Sequence, residues 1–518
     1  MKEIDFSQRA ERKKAVIWHI AGGWLSNLIH IVQGLLMIPL YLHYLGDRLY
    51  GFWLATGGVL ALIAMVDVGV SVVTLQRCAA AFGRKELGSV TLYFWHGAVV
   101  MAGVLSLFLI AVIAVGSIIP EWLQIDPAFQ QIIIHCFYAT SIATMVHLAN
   151  DFMRNFASAL QRNNIPVFAQ TLGDLVSLLG ILLALVRYEL GLWALVVGVL
   201  LRTLVPFVIN LLHTLLILRS LGQRNRWSIA IFKDYMSMIP AILAAKASGQ
   251  FAQNLPAVLI TRSIGPEATV AFTVTMRVLG LLQNVINHAL AALYGACSHY
   301  FSDPTVGNER RCQTLAQLSR GYFVGAGVGV SLYALLNHGF IAIWISETQF
   351  VGQLFTCLAA LASFIQVRNS LFVGLGISVG EIRAVEFTQF FEQTVRIGLI
   401  VWGIYAVGLL GVPLAIIIAG LLAQFRYINI FQRKDALIAQ ALSPLLWQWL
   451  PLALLLWPIY LAATLFVVDS WPRFLLYSAC AGIPFGLLVL FFLPGCKAQV
   501  VKAIGRIPLL PKAVQTTR

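Results

Sequence analysis

The run GDRLYGFWLATGGVLALIAMVDVGVSVVTLQR, Gly46 to Arg77, places Asp67 deep in an apolar stretch long enough to cross a bilayer. Between Arg48 and Arg77 no other residue is charged. About 20 apolar residues in helical form traverse the roughly 30 Å of hydrocarbon. A carboxylate at that depth costs on the order of 2.5–3.5 kcal/mol even on the lenient insertion scale. The helix must therefore turn Asp67 toward protein or water. Two roles fit there: a structural hydrogen bond to a neighbouring helix, or the carrying of a proton.

The rest of the chain repeats that pattern. Apolar residues make up 59% of the 518 and charged residues only 11%, far below the roughly 25% of a soluble domain. Apolar runs of membrane-crossing length recur about fourteen times, and backbone polar groups in lipid are satisfied only in helices or closed barrels. The expectation is an all-α membrane protein with about fourteen transmembrane helices. The first run, from about Val16 to Leu45, is too long for a secretory signal and has no small-residue cleavage site after it. The seven cysteines are scattered without a CxxC, so the sequence implies neither a disulfide framework nor a metal site.

Charge gives an orientation. Of the 35 Lys and Arg residues, 26 lie in the two tails and the even-numbered connections. Four lie in odd-numbered connections (Arg48, Arg187, Arg262, Arg473) and five within apolar runs. Positive charge collects on the cytoplasmic side, so both termini are expected there, with an even number of spans. The net charge of +14 is thereby read as a topology signal rather than as a sign of nucleic acid. The longest connection, about His299–Arg320, is too short for a separate catalytic domain. This argues against a membrane-embedded glycan ligase or polymerase, and the chain reads as a non-enzyme.

The two halves echo each other. Pro39 pairs with Pro256, Gly46 with Gly265, Phe52 with Phe272, and Trp122 with Trp344. The doublet Arg154–Asn155 recurs at Arg368–Asn369, FAQ at 168–170 recurs as FTQ at 387–389, and LGLWAL from Leu190 recurs as LGVPLA from Leu410. All offsets fall between 214 and 222 residues. The implied organisation is a segment 1–15, a six-helix lobe 16–218, a linker 219–235, a second six-helix lobe 236–435, two additional helices in 436–495, and a basic tail 496–518. An even number of spans per repeat gives both halves the same topology. Transporters built from such parallel repeats place substrate at the interface between halves.

Polar residues inside the spans fall at helical spacing. Asn27 and His30 lie on the first span, and Lys246, Gln250 and Asn254 on the seventh. Arg277 and Asn284 lie on the eighth, with Glu392 and Arg396 one turn apart on the eleventh. Asn27, His30, Gln250, Asn254 and Asn284 are read as cavity lining. Five intramembrane cations, Arg202, Lys246, Arg277, Arg368 and Arg396, outnumber the acids Asp67, Asp174 and Glu392 at comparable depth. Arg202 and Arg368 are expected near helix ends, where they snorkel. Lys246, Arg277 and Arg396 are the candidate basic substrate contacts, since guanidinium and ammonium match phosphate oxygens. Pairing with an intramembrane acid for packing alone competes with that role, most directly for Arg396 beside Glu392. Asp67, Asp174 and Glu392 are the ion-coupling candidates.

Three segments carry a resemblance: YLGDRLYGFW (Tyr44–Trp53), DVG (Asp67–Gly69) and RCAAAFGRKE (Arg77–Glu86). They resemble the amino-terminal region of polysaccharide repeat-unit flippases, the Wzx-type O-antigen transporters of the multidrug/oligosaccharidyl-lipid/polysaccharide exporter superfamily. LGLWAL and LGVPLA are similar to that family's repeated motif. The resemblance implies two six-helix bundles, here with two extra helices, in a bacterial inner membrane. It implies a polyprenyl-diphosphate-linked oligosaccharide as substrate, a proton or sodium gradient as driving force, and no cofactor. Membrane lipids and the glycan polymerase and chain-length machinery are the implied partners. It also carries the diphosphate-contacting role to Lys246 and Arg277 and the motif acid to Asp67. Asn287 stands where the second half would need a matching acid. The alternative is a cation-coupled drug or metabolite exporter of the same superfamily.

Overall fold

Gly46 sets the first turn of the chain. In the computed structural model its backbone takes φ 71° and ψ 164°, splitting α1 (Arg9–Ile63) into two crossings. The model describes residues 9–67, 69–221, 227–302, 307–378, 381–434, 447, 449–465 and 470–492. The basic tail 496–518 lies outside them, and residues 9–15 simply open α1. The second crossing is not one helix. It passes through a 3-10 turn at Ala64–Asp67 and resumes as α2 (Val70–Gly83).

The remaining crossings follow as α3 (Leu87–Trp122), α4 (Pro127–Ala159), α5 (Asn164–Leu182), α6 (Trp193–Leu221) and α7 (Ile229–Ser263). Then come α8 (Pro266–Ser302), α9 (Asn308–Trp344), α10 (Gln353–Ser378), α11 (Ile382–Val407) and α12 (Gly411–Lys434). Two further helices complete the chain, α13 (Trp449–Leu465) and α14 (Trp471–Phe492). With α1 counted as two crossings and α2 as the end of the second, the described residues form the expected fourteen crossings and contain no strand. This is a multi-pass helical membrane protein.

The chain divides into two compact units, residues 1–269 and 270–518. In the first, Val73 of α2, Phe94 of α3, Phe152 and Phe156 of α4, and Ile217 of α6 share a core with Tyr235 of α7. Helix α7, which the repeat counts in the second lobe, is tied to this unit along its length. Asp234 pairs with Arg77 at 2.7 Å, and the Tyr235 hydroxyl donates to the Tyr93 carbonyl at 3.0 Å and meets Thr74 at 3.0 Å. Farther along, Gly58 of α1 brings the backbone against Val258 and the Asn254 carbonyl. Lipid tails are as apolar as leucine, so close packing at small residues rather than the hydrophobic effect holds such helices together.

In the second unit α10 is central: 72% of its most apolar segment is buried, against 28–44% in the other long apolar helices. Phe355, Phe364 and Phe372 of α10 pack with Phe323 and Tyr333 of α9, Tyr427 and Phe431 of α12, and Leu452 and Leu456 of α13. Helix α13 packs on α9 and α10, and α14 on α9. The two additional helices thus widen this unit.

Gly51 gives the fold a stringent test. A Cβ there would collide with the Pro266 backbone, whereas one at Gly57 would meet nothing. Gly51→Leu should abolish the monodisperse peak in detergent size-exclusion chromatography, and Gly57→Leu should leave it intact.

Candidate functional site

The motif that begins at Gly46 is a turn built for close approach. Arg48 binds Asp126, ahead of α4, with Nε–Oδ2 at 2.7 Å and Nη2–Oδ1 at 3.1 Å. It also reaches Glu267, in the first turn of α8, at 3.7 Å. Gly46 and Gly265 both adopt positive φ, at 71° and 137°, a region open chiefly to glycine. Arg48 and Glu267 each follow their turn glycine by two residues, so equivalent positions of the two repeats face each other. At the α2–α3 connection Arg84 donates to Glu86 at 2.9 and 3.3 Å. That hydrogen bond, aided by the guanidinium charge, holds the Glu86 carboxyl below its ordinary range.

Asp67 sits where the second crossing breaks. The 3-10 turn ends at Asp67, and α2 starts after Gly69. A break of this kind frees backbone groups that lipid cannot solvate, so it occurs only against protein or a water-filled cavity. The sequence question therefore has a backbone answer: the acid lies at an interruption, not in a continuous apolar rod. Its side chain lies outside the described residues, as do those of Asn27, His30 and Lys246.

Asp174 and Glu392 each stand at the centre of a buried network. Asp174 of α5 is fully buried. Its Oδ1 accepts from Arg202 Nε of α6 at 3.1 Å and from Gln170 Nε2 at 3.1 Å. The Arg202 side chain remains 44% exposed. Glu392 of α11, 3% exposed, receives Arg396 Nη2 at 2.7 Å, Asn369 Nδ2 at 3.1 Å and the Tyr427 hydroxyl at 3.4 Å. Asn369 also donates to the Gly420 carbonyl at 3.0 Å, and its own Oδ1 accepts from Arg368 at 3.3 Å. The centre thus ties α10, α11 and α12 together.

Arg368 corrects a sequence expectation. It does not snorkel from a helix end but is fully buried in the middle of α10, because Asn369 hands its guanidinium a carbonyl oxygen. Arg396 is likewise locked against Glu392 at 3% exposure. Asn369 and Tyr427 were missed in the sequence; the repeated Arg–Asn doublet was the available signal.

The cavity candidates are less tied. Asn254 Nδ2 donates to the Gln250 carbonyl at 3.0 Å and to its Oε1 at 3.3 Å, while the Gln250 side chain is exposed. Asn284 is exposed on α8. Arg277 of α8 is half-buried, and its buried Nε has no hydrogen-bond partner among the described residues. An apolar cavity of about 250 Å³ lies in the second unit, lined by Leu335, Gly339, Ala463, Tyr477 and Cys480. Its walls suit an alkyl or prenyl chain and offer little to a charged head group.

No family model matches this chain, and no curated protein does so either. Solved structures do. A lipid II flippase, MurJ, in an inward closed conformation is 12% identical, with a TM-score of 0.66, over 95% of this chain and all of that one. An inward-facing multidrug resistance MATE transporter of the MOP superfamily is 14% identical, with a TM-score of 0.63, over 80% of this chain and 95% of that one. A Vibrio cholerae MATE transporter is 13% identical, with a TM-score of 0.53, over 83% of this chain and all of that one. The chain has the fold these transporters share.

The Glu392 centre yields a stability prediction. Removing the acid strands two buried guanidinium groups, so Glu392→Ala should cost about 3–5 kcal/mol. Adding Arg396→Met should recover a large part of that loss. Asp174→Ala should cost less, because Arg202 already reaches an exposed surface. The order of apparent melting temperatures in detergent checks all three.

Proposed function

We propose that this protein is a flippase that carries a polyprenyl-diphosphate-linked oligosaccharide repeat unit across the bacterial inner membrane by alternating access. The observation that carries the reading is Arg277: a guanidinium within the span of α8 whose buried Nε has no hydrogen-bond partner among the described residues. A buried donor left unmade costs roughly 1–3 kcal/mol, more when charged. A phosphate oxygen relieves that cost with a charge-assisted bond. Lys246 on α7 is the other candidate cation that the sequence offers to a phosphate. The apolar cavity at α9, α13 and α14 offers a resting place for a segment of the prenyl chain. The fold, the motif at Tyr44–Trp53 and the excess of intramembrane cations support the same assignment.

A proton or sodium ion resets the cycle through one of the intramembrane acids. A ligand moves such an equilibrium only through unequal affinity for the two conformations. With the basic connections on the cytoplasmic side, both termini are cytoplasmic and the head group enters from the leaflet where repeat units are assembled. The product leaves to the polymerase and chain-length machinery of surface polysaccharide synthesis. A drug or metabolite exporter is the second reading, supported by the structural likeness to MATE transporters, one of them with a TM-score of 0.63.

Deleting the gene should cause a complete undecaprenyl-linked repeat unit to build up on the cytoplasmic leaflet, with loss of surface glycan. Arg277→Ala and Lys246→Ala should fail to rescue that defect while inserting normally in the membrane. Export of fluorescent cations with an unchanged glycan profile would instead establish the exporter.

A further inference from the structure

The helix pair α4–α6 buries polar groups that neither ion-pair centre uses. Asn150 of α4 and Asn210, His213 and Thr214 of α6 are all at least nine-tenths buried. Asn210 Nδ2 donates to Asn150 Oδ1 at 2.8 Å, which satisfies one atom of each amide. Asn150 Nδ2, Asn210 Oδ1, His213 Nδ1 and Thr214 Oγ1 have no hydrogen-bond partner among the described residues. Neither has Asn163 Oδ1 at the α4–α5 connection. Buried polar atoms are almost always bonded to protein or to ordered water. This set mixes donors with acceptors and contains no carboxylate, which suits water better than an ion of either sign.

The cluster is one end of a stripe. Arg202, Pro206, Asn210, His213 and Thr214 follow one another along α6 at steps that keep one face. At the far end Arg202 holds the buried Asp174. Gln170, one turn from Asp174 toward the α4–α5 connection, donates to the same carboxylate. Pro206 lacks an N–H, so the Arg202 carbonyl loses its usual helical donor. The stripe therefore offers polar atoms from Asp174 through Gln170 and the two asparagines to His213. Beyond His213 stand Arg162 and Asn163, half-buried on the basic α4–α5 connection.

We propose that this stripe is a hydrated proton path that loads Asp174 from the α4–α5 side, with water and hydronium as its ligands. It rests on the proton-coupled form of the function above. Each transfer breaks one O–H or N–H bond and makes another. The proton enters from hydronium at the connection, passes the waters held by His213, Thr214 and the Asn150–Asn210 pair, and ends on the Asp174 carboxylate. Arg202 then loses its counter-charge. The charged groups set against the path include Arg202 at Asp174 and Arg162 at His213. His147, Asp151 and Arg154 on α4 pair with one another.

The test uses the full chain in lipid nanodiscs, without substrate, and follows the protonated-carboxyl infrared band after a pH jump. Asp174→Asn should remove one component of the band and so assign it. Asn210→Leu and His213→Phe should slow the appearance of that component by about a hundredfold or more, the lower end of what a positioned proton-transfer group contributes. The end point should stay unchanged, and His213→Gln should partly restore the rate. Thr214→Val, nearly isosteric, serves if the larger changes fail to fold. A wild-type spectrum with no component lost in Asp174→Asn overturns the proposal, as do unchanged rates in the stripe variants. Since no substrate is present, either result leaves the Arg277 reading standing, and an inactive Arg277→Ala with a normal band leaves the path standing.

Discussion

Charge inside hydrocarbon is the constraint on which the molecule is built. Spans that would cross the bilayer on apolar content alone need no internal order. Spans that carry Asp174, Arg368, Glu392 or Arg396 must find partners, and those partners fix which helices touch. Glu392 draws Asn369 from α10 and Tyr427 from α12, so one carboxylate sets the register of three helices. Exposed apolar side chains such as Leu454, Trp402 and Trp457 set none, because lipid receives them at no cost. In water the apolar groups would organise the core and the charges would decorate it; here the roles are reversed.

Glycine does the complementary work at the turns. Gly46 and Gly265 take positive φ at matching places of the two repeats, and Gly51 lets the α1 backbone meet Pro266. Arg48 and Glu267 then face each other across the turns they follow. The ion pair is exposed and adds little stability. Its value is positional, since it marks where the duplicated turns converge.

What the sequence disclosed follows from what hydropathy can see. The number of crossings was legible because each apolar run pays out one span's worth of helix between polar connections. The break after Ile63 was not, since VDVG has the same mean polarity whether it is helix or not, and only the backbone reveals the interruption at Asp67. Pairing of Glu392 with Arg396 was legible from their spacing of four, being local. Arg202 with Asp174, 28 residues away, and Asn150 with Asn210, 60 away, were not. Each is a lone polar residue in an apolar run until a second helix arrives. Arg368 was illegible for a different reason: its partner Asn369 is its chain neighbour, a spacing that does not signal facing side chains on a helix.

The two acids, though set on corresponding helices of the two repeats, are not equivalent. Glu392 is enclosed with Arg396 and with Arg368 close by through Asn369, all nearly or fully buried. Protonating it would leave guanidinium charge in the interior with no route out, a penalty of several kcal/mol. Asp174 has a different partner: Arg202 keeps nearly half its side chain exposed, so its charge can move outward on a long flexible stem when the carboxylate is neutralised. On energetic grounds the loss of the Asp174 charge costs less than the loss of the Glu392 charge, and Glu392 is the acid that keeps three helices in place.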